Sequence, residues 1–245
     1  MTSSGRSSSR DDSHPRPDGR GAGIGAALAQ QLSDRGDQLV LLVRTPGRAA
    51  EVSEALGARH RVEVVDLADA AGVLEAGRRL AAELGRVDSL VHCAGVVDLA
   101  RVADLDPQTW QHQLDVNLTA PAMLTAGLLP ALRDGGSTVV FVNSTSGLAA
   151  SPSWAAYAAS KHGLRALAES LRAEESSYGL RVTTVFPSRT ATGMQARVRA
   201  QEGKEYRDDE WMSAASVASS IVHVLDLPAD TTLTDLTLRT SPSPS

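Results

Sequence analysis

The sequence contains few aromatic residues and a single cysteine. Aromatic side chains make up 3 % of the 245 residues, although hydrophobic residues together make up 42 %. The core must therefore be built from alanine, valine and leucine, as expected for helices that pack on a parallel sheet. The one cysteine, Cys93, excludes a disulfide framework within the chain and fits a reducing compartment.

Long apolar runs and clusters of basic residues are also missing. No apolar run approaches the roughly 18 residues of a transmembrane helix, and the amino terminus lacks the apolar segment of a secretory signal. The net charge is −5, and lysine and arginine are dispersed along the chain. This distribution argues against nucleic acid as the main partner. We therefore expect a cytoplasmic protein that binds neither nucleic acid nor a membrane.

The two ends of the chain lack apolar residues. Residues 1–18 are mostly serine, arginine, aspartate and proline, and residues 241–245 read SPSPS. Such segments cannot bury enough surface to offset the entropy lost on ordering, so both are predicted to be disordered tails. Residues 19–240 are then predicted to form one domain, since a single α/β domain of this size is common.

Between the tails, short apolar runs alternate with segments rich in helix-forming residues. This alternation predicts right-handed βαβ units and a doubly wound, Rossmann-type parallel sheet of the α/β class. Residues 190–212 are predicted to be irregular or weakly helical. The predicted strands are 38–43, 61–65, 87–92, 138–142, 181–186 and 233–238, and the predicted helices are 49–56, 69–84, 107–132, 153–177 and 214–225.

Residues capable of chemistry follow the predicted strands. Glycines at positions 19, 21, 23 and 25 lead into a helix, where the backbone can approach a phosphate closely. In doubly wound sheets, ligands bind beyond the carboxyl ends of the strands, so these residues are predicted to line one edge. Those that follow a strand are Arg44, Asp66, Cys93, Ala94, Gly95, Ser144, Pro187 and Ser188.

The segment from Ser144 to Lys161 contains the strongest candidates for catalysis. Tyr157 and Lys161 are four residues apart and share one face of a predicted helix. A phenol has a pKa of about 10 and a nearby cation favours the phenolate, so the pair can act as a general acid or base. By itself such a pair more often marks a solvated helix face, but its position beside the other strand-end residues favours a site.

These residues carry a resemblance to the classical short-chain dehydrogenases/reductases, over roughly residues 18–240. Ser144, Tyr157 and Lys161 match the catalytic signature of that family, and Gly147 follows the serine as it does there. Asn117, in LDVNLTAP, matches the asparagine that completes the family's tetrad. The resemblance therefore implies that Asn117, Ser144, Tyr157 and Lys161 are catalytic and that no metal takes part.

The resemblance extends to segments that bind the cofactor. DGRGAGIG at 18–25 is similar to a Thr-Gly-x-x-x-Gly-x-Gly loop with Asp18 in place of threonine. HCAG at 92–95 is similar to an Asn-Asn-Ala-Gly element, with His92 and Cys93 in place of both asparagines. FPSRTAT at 186–192 is similar to a Pro-Gly segment of the family. The cofactor-binding residues implied are Gly19, Arg20, Gly23, Ile24, Gly25, Arg44, Asp66, Leu67, Cys93, Ala94, Gly95, Tyr157, Lys161, Pro187 and Thr192.

The implied reaction is hydride transfer between a nicotinamide cofactor and a carbonyl or secondary alcohol. Tyr157 would exchange a proton with the substrate oxygen, and Ser144 would orient that oxygen by a hydrogen bond. Lys161 would lower the pKa of Tyr157 and hold the nicotinamide ribose, while Asn117 would anchor a water that relays protons. The cofactor supplies the hydride and the protein supplies geometry and electrostatics.

Two arginines favour NADP(H) over NAD(H) as the cofactor. Enzymes that use NAD usually have an acid after the second strand to bind the ribose 2′-hydroxyl, whereas an arginine suits a 2′-phosphate. Val43 stands at the position of the acid, Arg44 follows it, and Arg20 adds a second positive charge. Both arginines could instead be solvated loop residues, so NAD(H) remains possible.

The chain departs from the family before the glycine loop. The family has an apolar first strand there, but this chain reads DDSHPRP, which a buried central strand would not tolerate. Either the segment is foreign to the protein or the sheet forms without that strand, so we describe the first strand as missing or replaced. An alternative function follows, that of a cofactor-binding or structural relative with impaired catalysis.

The segment 188–211 is predicted to form a lid over the substrate. Trp154, Met194 and Trp211, together with Ser144, are candidates to line a pocket for a moderately apolar carbonyl or alcohol, although ordinary packing explains the three large side chains equally well. Members of the family are often dimers or tetramers assembled through two long helices. The resemblance therefore implies a homodimer or homotetramer, assembled here through 107–132 and 153–177.

Overall fold

Parallel strands alternate with helices along the part of the chain that the structure describes, residues 23–241 of a computed structural model. All strand pairs observed in these residues are parallel. The helices are α1 (Ile24–Arg35), α2 (Pro46–Leu56), α3 (Ala70–Leu84), α4 (Pro107–Leu114), α5 (Ala120–Leu132), α6 (Ala155–Glu174), α7 (Gly193–Gln201) and α8 (Ala214–Leu225). The strands are β1 (Val40–Val43), β2 (Arg61–Val64), β3 (Ser89–His92), β4 (Thr138–Val142), β5 (Arg181–Pro187), β6 (Thr190–Ala191), β7 (Met212–Ser213) and β8 (Asp235–Leu238). The predicted α/β class with a doubly wound parallel sheet is confirmed.

The strands of the main sheet fall into two hydrogen-bonded groups. One group has the order β3-β4-β5-β8 and the other consists of β1 and β2; a small third pair joins β6 to β7. Within residues 23–241, no ladder joins β1 to β3. The residues predicted to lack the usual first strand, those before Gly19, lie outside the described part of the chain.

Two apolar cores cover the two faces of the sheet. Alternate residues of a strand point to opposite faces, so Val139 and Phe141 of β4 pack with α3, α5 and α6, whereas Val140 and Val142 pack with α1 and α8. All five residues of β4 are buried. This burial on both faces explains why the central strands are continuous apolar runs.

The predicted long helix 107–132 is interrupted. Helix α4 passes into a π-helical turn at Asp115–Thr119, and α5 continues from there. The sequence pattern does not reveal this π turn because a single turn is too short for its different residue period to be detected. The turn contains Asn117, and single π turns inside α-helices are frequent at functional sites.

The predicted irregular region 190–212 contains more structure than expected. It includes α7, which Thr192 caps by accepting a hydrogen bond from the Gln195 amide at 3.2 Å, and the short strands β6 and β7. The other predicted elements are observed, with ends that shift by a few residues, as is usual for terminal turns. None of the helices in residues 23–241 has the length and apolarity needed to cross a membrane.

Candidate active site

Asn143 and Ser144 follow β4 and connect it to α6. The Asn143 side chain donates a hydrogen bond to the Lys161 carbonyl at 2.9 Å and accepts one from the Ser144 amide at 2.8 Å. A Cβ at Gly147 would lie 2.9 Å from the Lys161 carbonyl oxygen, so only glycine allows this approach. Asn143 thus holds the strand end against the helix, a positioning role that the sequence analysis did not assign.

Tyr157 and Lys161 lie one turn apart near the start of α6, and both are buried. The Lys161 ammonium donates a hydrogen bond to the Val142 carbonyl at 3.0 Å and lies 5.8 Å from the centre of the Tyr157 ring. The structure therefore brings Ser144, Tyr157 and Lys161 together at the carboxyl end of β4, which disfavours the interpretation of the pair as a solvated helix face.

Burial perturbs both titratable groups. It raises the pKa of Tyr157 to about 12, while a hydrogen bond with Ser144 acts in the opposite direction. It lowers the pKa of Lys161 to about 8. The Ser144 hydroxyl is thus the group that partly offsets the effect of burial on the phenol pKa. The expected lowering of the Tyr157 pKa by Lys161 stays a prediction. At neutral pH the phenol keeps its proton and can donate it.

Asn117 joins the segment after β3 to helix α6. Its side-chain nitrogen donates to the Val96 carbonyl at 2.9 Å and to the Ser160 hydroxyl at 3.0 Å, and its oxygen accepts from the Val96 amide at 2.8 Å. The Ser160 hydroxyl in turn donates to the Tyr157 carbonyl at 2.7 Å. These contacts make Asn117 a positioning residue, and its expected part in a proton relay stays a prediction.

His92 and Cys93, which replace the two asparagines of the family element, are uncharged. The His92 ring stacks on Phe141 with centroids 4.9 Å apart and hydrogen-bonds the Thr125 hydroxyl at 2.9 Å. Burial, with a smaller effect of Lys161, lowers the pKa of His92 to about 3. Burial raises the pKa of Cys93 to about 12, so the thiol is no nucleophile at neutral pH. Gly95, two residues on, lies against Asn117 and Lys161.

The amino-terminal end of α1 has the chemistry to hold the diphosphate of a dinucleotide. Gly23 caps the helix without a side-chain hydrogen bond, and Ile24 begins it. A Cβ on Gly25 would lie 3.1 Å from the Cys93 Cβ, so the glycine lets α1 approach the end of β3. Helix amino termini offer free amides and positive dipole to phosphates. Gly19 and Arg20 lie outside the described residues.

The other cofactor candidates lie after strands along the same edge. Arg44 follows β1 and is exposed, and Asp66 follows β2 and accepts a hydrogen bond from the Ala68 amide at 3.0 Å. Leu67 packs against the core. The remaining candidates are Ala94 after β3, Pro187 at the end of β5 and Thr192 at the start of α7.

On the substrate side, Trp154 and Met194 pack around Tyr157, together with Val97 and Val198. The rings of Trp154 and Tyr157 meet edge to face with centroids 5.6 Å apart. Trp211 lies outside this cluster. The predicted trio is therefore split, with two members beside Tyr157 and the third linked to them through Arg189.

Arg189 is a residue of this region that the sequence analysis missed. Its guanidinium lies 5.8 Å from the Trp154 ring centre and 5.4 Å from that of Trp211. Two of its nitrogens also bind the carboxylate of Glu202. Arg189 could have been identified from the sequence because it directly follows Pro187 and Ser188 at the end of β5. No sequence pattern marks Glu202 in a comparable way.

Comparison with known proteins assigns the family. The chain matches the model of the short chain dehydrogenases over residues 18–203. It therefore belongs to the short-chain dehydrogenase/reductase family of oxidoreductases.

Several relatives agree with this assignment. D-threitol dehydrogenase of Mycolicibacterium smegmatis is 34 % identical over 174 residues, which cover 69 % of this chain and 67 % of the relative. An uncharacterized oxidoreductase of Staphylococcus epidermidis is 25 % identical, and the matched region covers 90 % of this chain and 94 % of the relative.

Solved structures show the same fold. A protein from Beutenbergia cavernae whose crystal contains NADP at low occupancy is 28 % identical, with a TM-score of 0.78 and coverage of 88 % of this chain and 90 % of that chain. An alcohol dehydrogenase from the archaeon Thermococcus sibiricus, complexed with 5-hydroxy-NADP, has a TM-score of 0.78 at 23 % identity. The match covers 90 % of this chain and 94 % of that chain.

Proposed function

We propose that the protein transfers a hydride between NADP(H) and a carbonyl or secondary alcohol, with Tyr157 as the general acid or base. The observation that carries the proposal is the burial of Tyr157 and Lys161 beside Ser144, at the sheet edge where α1 presents its amino terminus. A buried phenol that keeps its proton at neutral pH suits a proton donor.

Bound NADP(H) supplies or accepts the hydride, and the chain's own residues handle the proton. In the direction of reduction, the Tyr157 hydroxyl donates its proton to the substrate oxygen, and the Ser144 hydroxyl orients the same oxygen. Lys161 is positively charged below a pH of about 8, and its ammonium both holds ribose hydroxyls and stabilises the phenolate that remains. Trp154 and Met194 shield the reacting atoms from water.

A Tyr157→Phe variant tests the assignment of the proton donor. Loss of a positioned general acid costs about 10²- to 10⁴-fold in rate, so NADPH oxidation in a screen of ketones and aldehydes is expected to fall by at least about 100-fold. NADPH binding, followed by nucleotide fluorescence, is expected to persist. Tyr178→Phe provides the matched control, since that ring is exposed and packs on Arg133. Equal activity of wild type and Tyr157→Phe would refute the assignment.

The alternative is a relative that binds cofactor without catalysis, and its motive is the polar, proline-containing segment DDSHPRP that precedes the glycine loop. This alternative predicts NADPH binding without turnover in the wild-type protein, and no effect of Tyr157→Phe.

A further inference from the structure

A cavity of about 550 Å³ lies next to the cluster around Tyr157. Trp154 and Leu99 belong to both, because they pack against the cluster and also line the cavity. The Trp154 ring, which contacts the Tyr157 ring edge to face, therefore connects the cavity with the candidate proton donor. The polar lining distinguishes the cavity from the apolar cluster beside it.

The wall of the cavity is held by hydrogen bonds between three distant segments. The Ala100 amide donates to the Ser153 carbonyl at 2.9 Å, which joins the segment after β3 to the start of α6. Gln201, at the end of α7, accepts from the Leu99 amide and donates to the Asp98 carboxylate, both at 3.1 Å. The cavity is thus a built feature of the fold, in which Gln201 holds the end of α7 against the wall.

Ser153, which lines the cavity, has an unusual backbone conformation. Its φ is 69°, and it is the one residue other than glycine with positive φ among those the structure describes. A left-handed conformation is uncommon for serine, and such strained residues are found preferentially at ligand sites. The strain fixes the entry of the chain into Trp154 and α6, which supports a functional role for this wall.

The charges at the cavity favour an anion. Of the two lining carboxylates, Glu202 is already neutralised, since Arg189 binds it with two nitrogens and Arg199 approaches it at 3.1 Å. Arg101 and Lys204 also line the cavity, are exposed and form no ion pair within residues 23–241. The Lys204 ammonium also helps to lower the pKa of Glu202, after the larger effects of Arg189 and Arg199. Asp104 is the remaining acid, so the cations outnumber it.

Lys204 is held at the rim by the end of α7. Gly203 has a φ of 66°, which reverses the chain, and the Lys204 amide then donates to the Arg199 carbonyl at 2.9 Å. The backbone of Lys204 is therefore fixed while its ammonium remains available. Charged donors of this kind bind carboxylates by short, strong hydrogen bonds.

We propose that this cavity, which we call the anion cavity, binds a carboxylate of the substrate through Arg101 and Lys204. The reacting carbonyl lies at the other end of the substrate, which extends past Trp154 to Tyr157. The inference rests on the proposed function, because it defines the substrate class as carbonyl compounds with a distant carboxylate. It assigns a role to the strained wall and to the two cations.

The test compares linear methyl-ketone carboxylic acids of graded chain length with their methyl esters, which lack the charge. Isothermal titration calorimetry with the NADPH-bound protein measures the affinity for each. The best acid is expected to bind at least about tenfold more tightly than its ester, since hydrogen bonds to charged groups are the strong ones. The preference is expected to weaken as salt is added.

Variants assign the effect to the cavity. The double variant Arg101→Gln/Lys204→Gln is expected to abolish the preference for the acid and to leave ester binding unchanged. Arg197→Gln is the matched control, because Arg197 is an exposed cation of α7 that does not line the cavity. Asp104→Asn is expected to raise the affinity for the acid about two- to fivefold, since it removes an exposed charge of the same sign as the ligand.

Equal affinity for acid and ester in the wild-type protein would overturn the proposal, as would a preference that survives the double variant. Failure of the proposed function gives a different result. In that case the acid preference and its loss in the double variant are observed by calorimetry, but no acid, ester or other carbonyl is reduced.

Discussion

Lys161 is a buried cation whose cost to stability can be measured. Because burial lowers its pKa from 10.5 to about 8, the unfolded chain binds more protons than the folded protein between these two values. Below this window both states are protonated, and above it both are neutral. The free energy of unfolding is therefore expected to rise with pH across the window, by at most about 1.4 kcal/mol per pH unit.

The comparison with Lys161→Met isolates this effect from other titrations. Urea unfolding at a series of pH values is expected to show the wild-type protein gaining stability relative to the variant as pH rises from 8 to 10.5. The variant is also expected to lose NADPH oxidation, since it removes the ammonium that we propose holds the ribose. A stability difference that does not change with pH would contradict the burial of a titrating lysine.

Arg44 is the residue to which we attribute the proposed preference for NADP(H). It is exposed directly after β1 and forms no ion pair among the described residues, so its guanidinium is available for a 2′-phosphate. Arg44→Asp is expected to lower the ratio of kcat/KM for NADPH to that for NADH by about tenfold or more. Arg78→Asp, an exposed change in the middle of α3, serves as the control. An unchanged ratio would mean that Arg44 does not select the cofactor.

At the scale of elements, the ion pair of Arg189 and Glu202 joins the segment after β5 to the residue that ends α7. The Glu202 side chain is 14 % exposed, and Arg189 and Arg199 keep its pKa below the usual range. Glu202→Gln leaves two partly buried guanidinium groups without their carboxylate. The expected loss is about 1–3 kcal/mol in the free energy of unfolding, measured with urea.

The exposed pair of Arg165 and Glu169 on α6 is the matched comparison. Its carboxylate is 51 % exposed, and such pairs contribute only about 0.3–0.5 kcal/mol. Glu169→Gln is therefore expected to have little effect. If both variants lost the same small amount, the Glu202 pair would have no special part in holding α7.

At the scale of the whole molecule, cofactor binding is expected to stabilise the folded state. A ligand that binds only the folded state at 100 times its Kd adds about 2.7 kcal/mol. For a domain of this size that corresponds to a rise of about 5–10 °C in Tm. NADPH is expected to produce such a rise in differential scanning fluorimetry and NADH a smaller one. No rise with either nucleotide would contradict cofactor binding by this chain. Assembly into a homodimer or homotetramer stays a prediction.

Much of the site could be predicted from the sequence because local spacing determined it. The i, i+4 spacing of Tyr157 and Lys161 places both on one helix face, and the position of Ser144 after an apolar run places its hydroxyl at a strand end. Asn143, Ser160 and Gln201 could not be identified in this way. Their hydrogen bonds join segments 18 to 103 residues apart, and no short pattern records them.

By itself, the sequence determined the alternation of strands and helices and the edge at which the functional residues collect. The spacing of apolar residues within each segment indicates whether it forms a strand or a helix. The order of the segments along the chain indicates that the strands are parallel, so their carboxyl ends meet at one edge. Only the tertiary structure decided the π turn at Asn117, the separation of Trp211 from Trp154, and the cavity between Arg101 and Lys204. These features depend on which distant side chains meet, and packing selects those contacts only after the segments have come together.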